Sequence, residues 1–135
     1  MQFTWLSRWQ PQVLGLLRVV AALLFLEHGT AKLFAFPTAL QGMPDPMPPM
    51  IVAASWLEII LGILLLIGLF TRLAAFIASG EMAAAYWIGH FPRDPWPVAN
   101  MGDAAILFCF VFLYIAAAGP GAWSVDGSRG GDRSR

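Results

Sequence analysis

Six charged residues sit inside long apolar runs of this sequence: Arg18, Glu27, Lys32, Glu58, Glu81 and Asp103, with His28 directly after Glu27. An ionisable side chain in such a run is costly in lipid and by default marks function, facing a bundle interior or a partner. His28 and Lys32 are four residues apart and share one helix face. Glu27 lies nine residues from Arg18, half a helical revolution away. One helix therefore carries polar groups on more than one face, which suits a helix central in a bundle or bound to a partner. The candidate intramembrane polar site is Arg18, His28, Lys32 and Glu58, with Glu27 and Glu81 as secondary candidates.

The same residues also admit a structural role. Glu27 with Lys32, or Glu58 with Arg18 or Lys32, would form ion pairs that hold helices together. Lys32 could snorkel to the interface, and Asp103 could cap a helix. Arg72, after a Thr in a tight link, reads as an anchor, and His90 as a surface histidine. Catalytic residues are not assigned. A di-iron bundle needs Glu-x-x-His on two helices, a motif missing here, so no metal is expected. A haem held by His28 and His90 has only two histidines to support it. Catalytic triads, phosphate loops and dinucleotide fingerprints are absent. Ser55 lies one turn from Glu58 with no His near it in sequence. The one cysteine, Cys109, excludes an intrachain disulfide.

The elements that must position these groups are membrane helices. Of 135 residues, 59% are hydrophobic and 12% charged, against about 45–50% and about 25% in ordinary globular domains. Disorder is excluded by that hydrophobicity. Eight Lys+Arg cancel eight Asp+Glu, which excludes a nucleic-acid partner. Four stretches are long enough to cross about 30 Å of hydrocarbon: about Val13 to Phe36, Met50 to Leu69, Leu73 to Gly89 and Met101 to Ala118. None alternates as a barrel strand would, so they must be helices. The expected fold is all-α, a four-transmembrane-helix bundle in the cytoplasmic (inner) membrane, surrounded by lipid.

The punctuation between spans agrees. Phe36-Pro37 closes the first helix, since the residue before proline avoids the α region. Five prolines stiffen the loop from Pro37 to Pro49, and Gly119-Pro120-Gly121 ends the fourth span. The tight link Gly68 to Arg72 implies an antiparallel hairpin of the second and third helices. Gly15, Ala22 and Gly29 recur every seven residues, and Ala75, Ser79 and Ala83 every four, as close helix packing requires. Interrupted by charges and followed by no cleavage site, the first span reads as a retained helix. The domain reading is a cytoplasmic segment 1–12, a membrane domain 13–126 and a flexible tail 127–135, with disorder expected from Asp126 onward. Lys/Arg counting puts Arg8, Arg72, Arg129, Arg133 and Arg135 on one side and Lys32 and Arg93 on the other, so both termini are expected in the cytoplasm. Trp5, Trp9, Trp96 and Trp123 read as interfacial anchors. In that orientation the intramembrane charges, except Arg18, collect at or above the midplane.

These residues also resemble a known family. Leu17-Arg18 followed by Phe25-Leu26-Glu27-His28-Gly29-Thr30-Ala31-Lys32 is similar to the first helix of the DoxX family of small bacterial membrane proteins. Glu58-Ile59-Ile60-Leu61-Gly62 through Gly68-Leu69-Phe70-Thr71-Arg72 resembles that family's second helix and turn. Gly119-Pro120-Gly121-Ala122-Trp123-Ser124-Val125-Asp126 resembles its closing signature, with Ala122 departing from the basic residue many relatives carry. Arg18, His28, Gly29, Lys32, Glu58, Gly62, Thr71 and Arg72 match the pattern. The resemblance implies four membrane helices and an association with redox chemistry, through thiosulfate:quinone oxidoreductase and complexes of thiol-stress defence. On that reading the chain is a small membrane subunit or partner of a redox complex, with a quinone as the cofactor it could hold. A noncatalytic scaffold or assembly factor is the alternative, and a small-solute transporter a further one. Its partners would be redox proteins, and a homo-oligomer stays open.

Overall fold

The computed structural model describes residues 3–130. Among these residues all regular structure is helical: α1 (Thr4–Ser7), α2 (Gln10–Phe34), α3 (Pro49–Ile67), α4 (Thr71–Ala85) continued by a π-helical turn (Tyr86–His90), α5 (Pro97–Asn100), α6 (Asp103–Ala118) and α7 (Val125–Gly130). Proline opens α2, α3 and α5, where its missing N–H and fixed φ cost nothing. α3 ends on Gly68 at φ 71°. There the Gly68 N–H donates to Leu65 O and the Leu69 N–H to Leu64 O, at 3.2 and 2.9 Å. This pair of bonds is the Schellman stop, which favours glycine. α4 starts at Thr71, so α3 and α4 form the hairpin expected from the short link.

Helix α2 packs on α3, α3 on α4, α4 on α6, and α2 more lightly on α6. Ala22, Phe25, Leu65, Ala75, Ala78, Phe112 and Ile115 lie at the centre, each fully buried. The small residues set the spacing as expected. Gly15, Ala22 and Gly29 are all buried. A Cβ on Gly29 would sit 2.7 Å from Ser55 O, and one on Gly62 would sit 3.0 Å from the Leu26 Cβ. The two helices thus notch into each other from both sides. On α4, Ala75 and Ser79 are buried while Ala83 is only half-buried. The outward faces stay apolar: Leu16, Val20, Leu23, Ile60, Ile63, Phe76, Leu107 and Phe110 are all exposed. A continuous apolar exterior of this kind needs lipid or a partner to cover it.

Helices α2 and α3 are long and apolar enough to cross a membrane. The third and fourth stretches differ from the sequence reading. α4 has 15 residues because the ladder widens to π at Tyr86, and α6 has 16 because Asn100–Gly102 makes a separate turn before Asp103. The C-terminal segment also differs. Val125–Gly130 is a helix, with disorder expected from Asp126. Its first turn is tied to the α3–α4 link, where the Asp126 N–H donates to Gly68 O at 2.9 Å. The tail beyond it, 131–135, which holds Arg133 and Arg135, lies outside the described residues.

Candidate functional site in the helix interior

Close approach of α2 and α3 at Gly29 and Gly62 brings Lys32 onto Glu58. The Lys32 Nζ donates to Glu58 Oε1 at 2.8 Å and to Oε2 at 3.0 Å. Glu58 is 2% exposed, and the Lys32 side chain keeps 20%. A buried charge is tolerated only when paired and hydrogen-bonded, and two contacts from one ammonium meet that condition. Among the described residues this is the one ion pair. Sequence left Glu27 with Lys32, and Glu58 with Arg18 or Lys32, as alternatives; the geometry selects Lys32 with Glu58.

Glu81 projects from α4 beside this pair. Both of its carboxyl oxygens are out of reach of solvent and neither has a hydrogen-bond partner. The pair and Glu81 border a cavity of about 600 Å³ beneath the loops 35–48 and 91–102. Phe25, Ile51, Met82, Ala105 and Phe108 give it apolar walls; His28, His90 and Arg93 also reach it. That size, with apolar walls and a few convergent polar groups, is characteristic of a site for a small molecule.

Both histidines are oriented alike. His28 Nδ1 lies 2.6 Å from Leu24 O, and His90 Nδ1 lies 3.0 Å from Asn100 O. A carbonyl can only accept, so Nδ1 carries the hydrogen in each and Nε2 is the ring nitrogen left over. Phe108 meets the His28 ring edge to face at 5.6 Å. Asn100 is 2% exposed. It fixes the loop by donating to Tyr86 Oη and Asp94 O and accepting from the Gly102 N–H. The π turn carries Tyr86 and His90, their rings stacked at 6.3 Å, and His90 borders the cavity. π turns of this kind recur at functional sites.

Arg18 lies elsewhere. It is 14 residues before Lys32, about 21 Å along α2, and does not border the cavity. Its guanidinium, fully buried, donates to Pro120 O, to Ala122 O at 3.2 Å and to Trp123 O at 2.8 Å. Arg72 donates to Ala116 O at 3.1 Å and to Ala117 O, meeting the carbonyls that α6 leaves unpaired at its C-terminus. Asp126 accepts from the Phe70 and Thr71 N–H groups at 2.9 and 2.8 Å, closing the N-terminus of α4. Burial alone would raise the Asp126 carboxyl, but these backbone donors and nearby Arg129 hold it below its ordinary range. Arg18, Arg72 and Asp126 thus form one latch that fastens Gly119–Asp126 across the helix ends.

Of the sequence candidates, His28, Lys32, Glu58 and Glu81 meet at the cavity. Arg18 belongs to the latch, and Glu27 is exposed with its side chain in no hydrogen bond. Asp103, also exposed, sits in the first turn of α6, where a carboxylate suits the helix dipole. His90, read as a surface residue, is a half-buried cavity residue instead. Sequence reasoning missed Asn100, the π turn and the cavity methionines. Asn-Met-Gly between two spans was the only available signal for the first.

The family model for DoxX matches residues 13–91, from the start of α2 to the end of the π turn. The chain belongs to the DoxX family. An uncharacterised protein of Haemophilus influenzae is 42% identical over 125 residues, covering 90% of this chain and 93% of that one. Inner membrane protein YphA of Escherichia coli is 30% identical over 132 residues, covering 87% of this chain and 90% of its own. No solved structure matches. With its apolar helices, the chain is a multi-pass protein of the inner membrane.

Proposed function

We propose that the chain crosses the inner membrane four times, by α2, α3, α4 with its π turn, and α6, with both termini in the cytoplasm. The cavity then lies in the outer half, and it binds the head group of a lipid-soluble quinone for a redox complex of which this chain is a small membrane subunit. The apolar exterior of all four helices supports the topology. Arg8, Arg72 and Arg129 against Lys32 and Arg93 support the orientation.

The observation that carries the ligand reading is Glu81: a buried carboxyl with no partner, on a residue that borders an apolar cavity. A buried polar group without a partner is costly and asks for an explanation, and a ligand hydroxyl or carbonyl supplies one. Glu81 would hydrogen-bond the head group. The Lys32 ammonium, held on Glu58, would set a positive charge near its oxygens, and Phe25 and Phe108 would flank the ring. A quinone, when bound, carries two electrons and two protons between a partner and the membrane pool.

The experiment is binding of a short-chain quinone to the full chain in lipid nanodiscs, read by tryptophan fluorescence, with lipid extraction of the natively purified protein. The expected result is a co-purifying quinone and saturable binding that Glu81→Leu weakens by about tenfold, the scale of one lost hydrogen bond. Binding no stronger than to empty nanodiscs, with no quinone in the extract, ends this reading.

A further inference from the structure

Four of the six methionines border this one cavity: Met43, Met50, Met101 and, deeper, Met82. Leucine would fill apolar space as well, so the sulfur itself calls for a reason. Met43 and Met50 belong to the proline-rich run Met43-Pro44-Asp45-Pro46-Met47-Pro48-Pro49-Met50, whose first and last thioethers border the cavity. Met101 reaches the mouth from the opposite loop, near His90 and Arg93.

We propose that the mouth of this cavity is a binding site for a soft monovalent cation, copper(I), held by thioethers of Met43, Met50 and Met101 with the imidazole Nε2 of His90. Thioethers select copper(I) over harder ions, and imidazole suits copper as well. A second, independent observation is the orientation of the His90 ring. It donates Nδ1–H to the Asn100 carbonyl, the arrangement that turns Nε2 toward a metal in known sites. None of these donors is a thiol, so none must first lose a proton to become a thiolate. On the outer face, thioethers also remain donors where a thiol pair would oxidise. The site lies above the Lys32–Glu58 pair and does not rest on the quinone reading.

The test is anaerobic titration of the purified full chain in detergent with copper(I), in competition with bicinchoninate, followed by metal analysis after gel filtration. One copper(I) per chain is expected, with sulfur and nitrogen neighbours in its X-ray absorption spectrum. The variant Met43→Leu/Met50→Leu/Met101→Leu keeps side-chain volume and should fold, which its gel-filtration profile checks. It should bind copper(I) at least about tenfold more weakly, the usual cost of disturbing a metal's surroundings. His90→Gln should weaken copper in the same direction. Copper well below one per chain, a spectrum with oxygen neighbours only, or a triple variant as tight as the parent would each overturn the site. A parent that binds copper but no quinone leaves this site standing and removes only the quinone reading.

Discussion

Lys32 Nζ bonds both carboxylate oxygens of Glu58, at 2.8 and 3.0 Å, across the tightest part of the α2–α3 contact. Gly29 stands one turn before the lysine and Gly62 one turn after the glutamate. Neither helix could come this near with a side chain at those places. The ion pair and the two glycines are therefore one device: the glycines set the distance, and the pair uses it.

That coupling makes the pair asymmetric to mutation. Lys32→Met leaves Glu58 as an unpaired charge in a site 2% exposed, and should cost about 3 kcal/mol. The double variant Lys32→Met/Glu58→Leu removes both charges and should recover most of that loss. Thermal unfolding in one detergent, compared across the two variants and the parent, measures it. A double variant less stable than Lys32→Met would show that the pair contributes more than mutual compensation.

The glycines give a paired contrast within one protein. Gly29→Ala places a methyl 2.7 Å from Ser55 O, backbone that cannot step aside, and should destabilise by about 1–3 kcal/mol. Gly80, on α4, has nothing within 4 Å of an added Cβ. Gly80→Ala should therefore stabilise by about 0.5–1 kcal/mol through helix propensity alone. Equal effects of the two substitutions in thermal unfolding would contradict the packing described for α2 and α3.

The latch predicts a dependence on acid. Asp126 titrates lower when docked than in a free chain, so its contribution is fully present above its ordinary value of 3.8. The contribution is lost as pH falls through the docked value. The protection of the Phe70 and Thr71 amides, their hydrogen exchange relative to the intrinsic rate at each pH, should stay high and constant from neutral pH to about pH 4 and fall below it. Asp126→Ala should show low protection at every pH. A parent whose exchange at Thr71 matches that variant at pH 7 has no working latch.

Arg18 tests the other half of the latch. Its planar fork reaches three carbonyls in different directions, which a single ammonium cannot reproduce. Arg18→Lys should therefore free the segment around Trp123 nearly as much as Arg18→Leu, read as faster exchange from Gly121 to Ser124. Quinone and copper binding should both be retained, since Arg18 lies about 21 Å from Lys32. Loss of either ligand in Arg18→Lys would mean that the two ends of α2 communicate.

Much of this arrangement is legible in the amino-acid sequence. Apolar length and missing alternation place the helices, and Gly68 and Pro49 mark ends that the backbone confirms. The small-residue periods at Gly15, Ala22 and Gly29 announce a packing face, because helix geometry is local and repeats. The partner of each charge is not legible. Arg18 and Lys32 share α2 with similar claims on Glu58, Glu27 competes for Lys32, and only the rotation of α3 against α2 decides among them. The role of Arg18 is hidden for the same reason, since its partners lie 102–105 residues away and are backbone carbonyls, without a side-chain type to signal them. Tyr86–His90 is hidden because a π turn has no strong sequence mark.

Glu81 separates stability from function. Its two oxygens lack partners, so removing the carboxyl relieves a dry, unsatisfied group, and Glu81→Leu should stabilise the free protein by about 1–2 kcal/mol. Glu81→Gln leaves an unpartnered amide in the same place and should gain less. If the carboxyl is kept for a ligand, the stabilised variant is the one that binds quinone worst, the usual trade between a strained site and its use. Thermal unfolding and quinone titration on the same three proteins measure both quantities. A Glu81→Leu protein that melts below the parent would mean that the carboxyl already has a partner in the free state, and no ligand would then be needed to satisfy it.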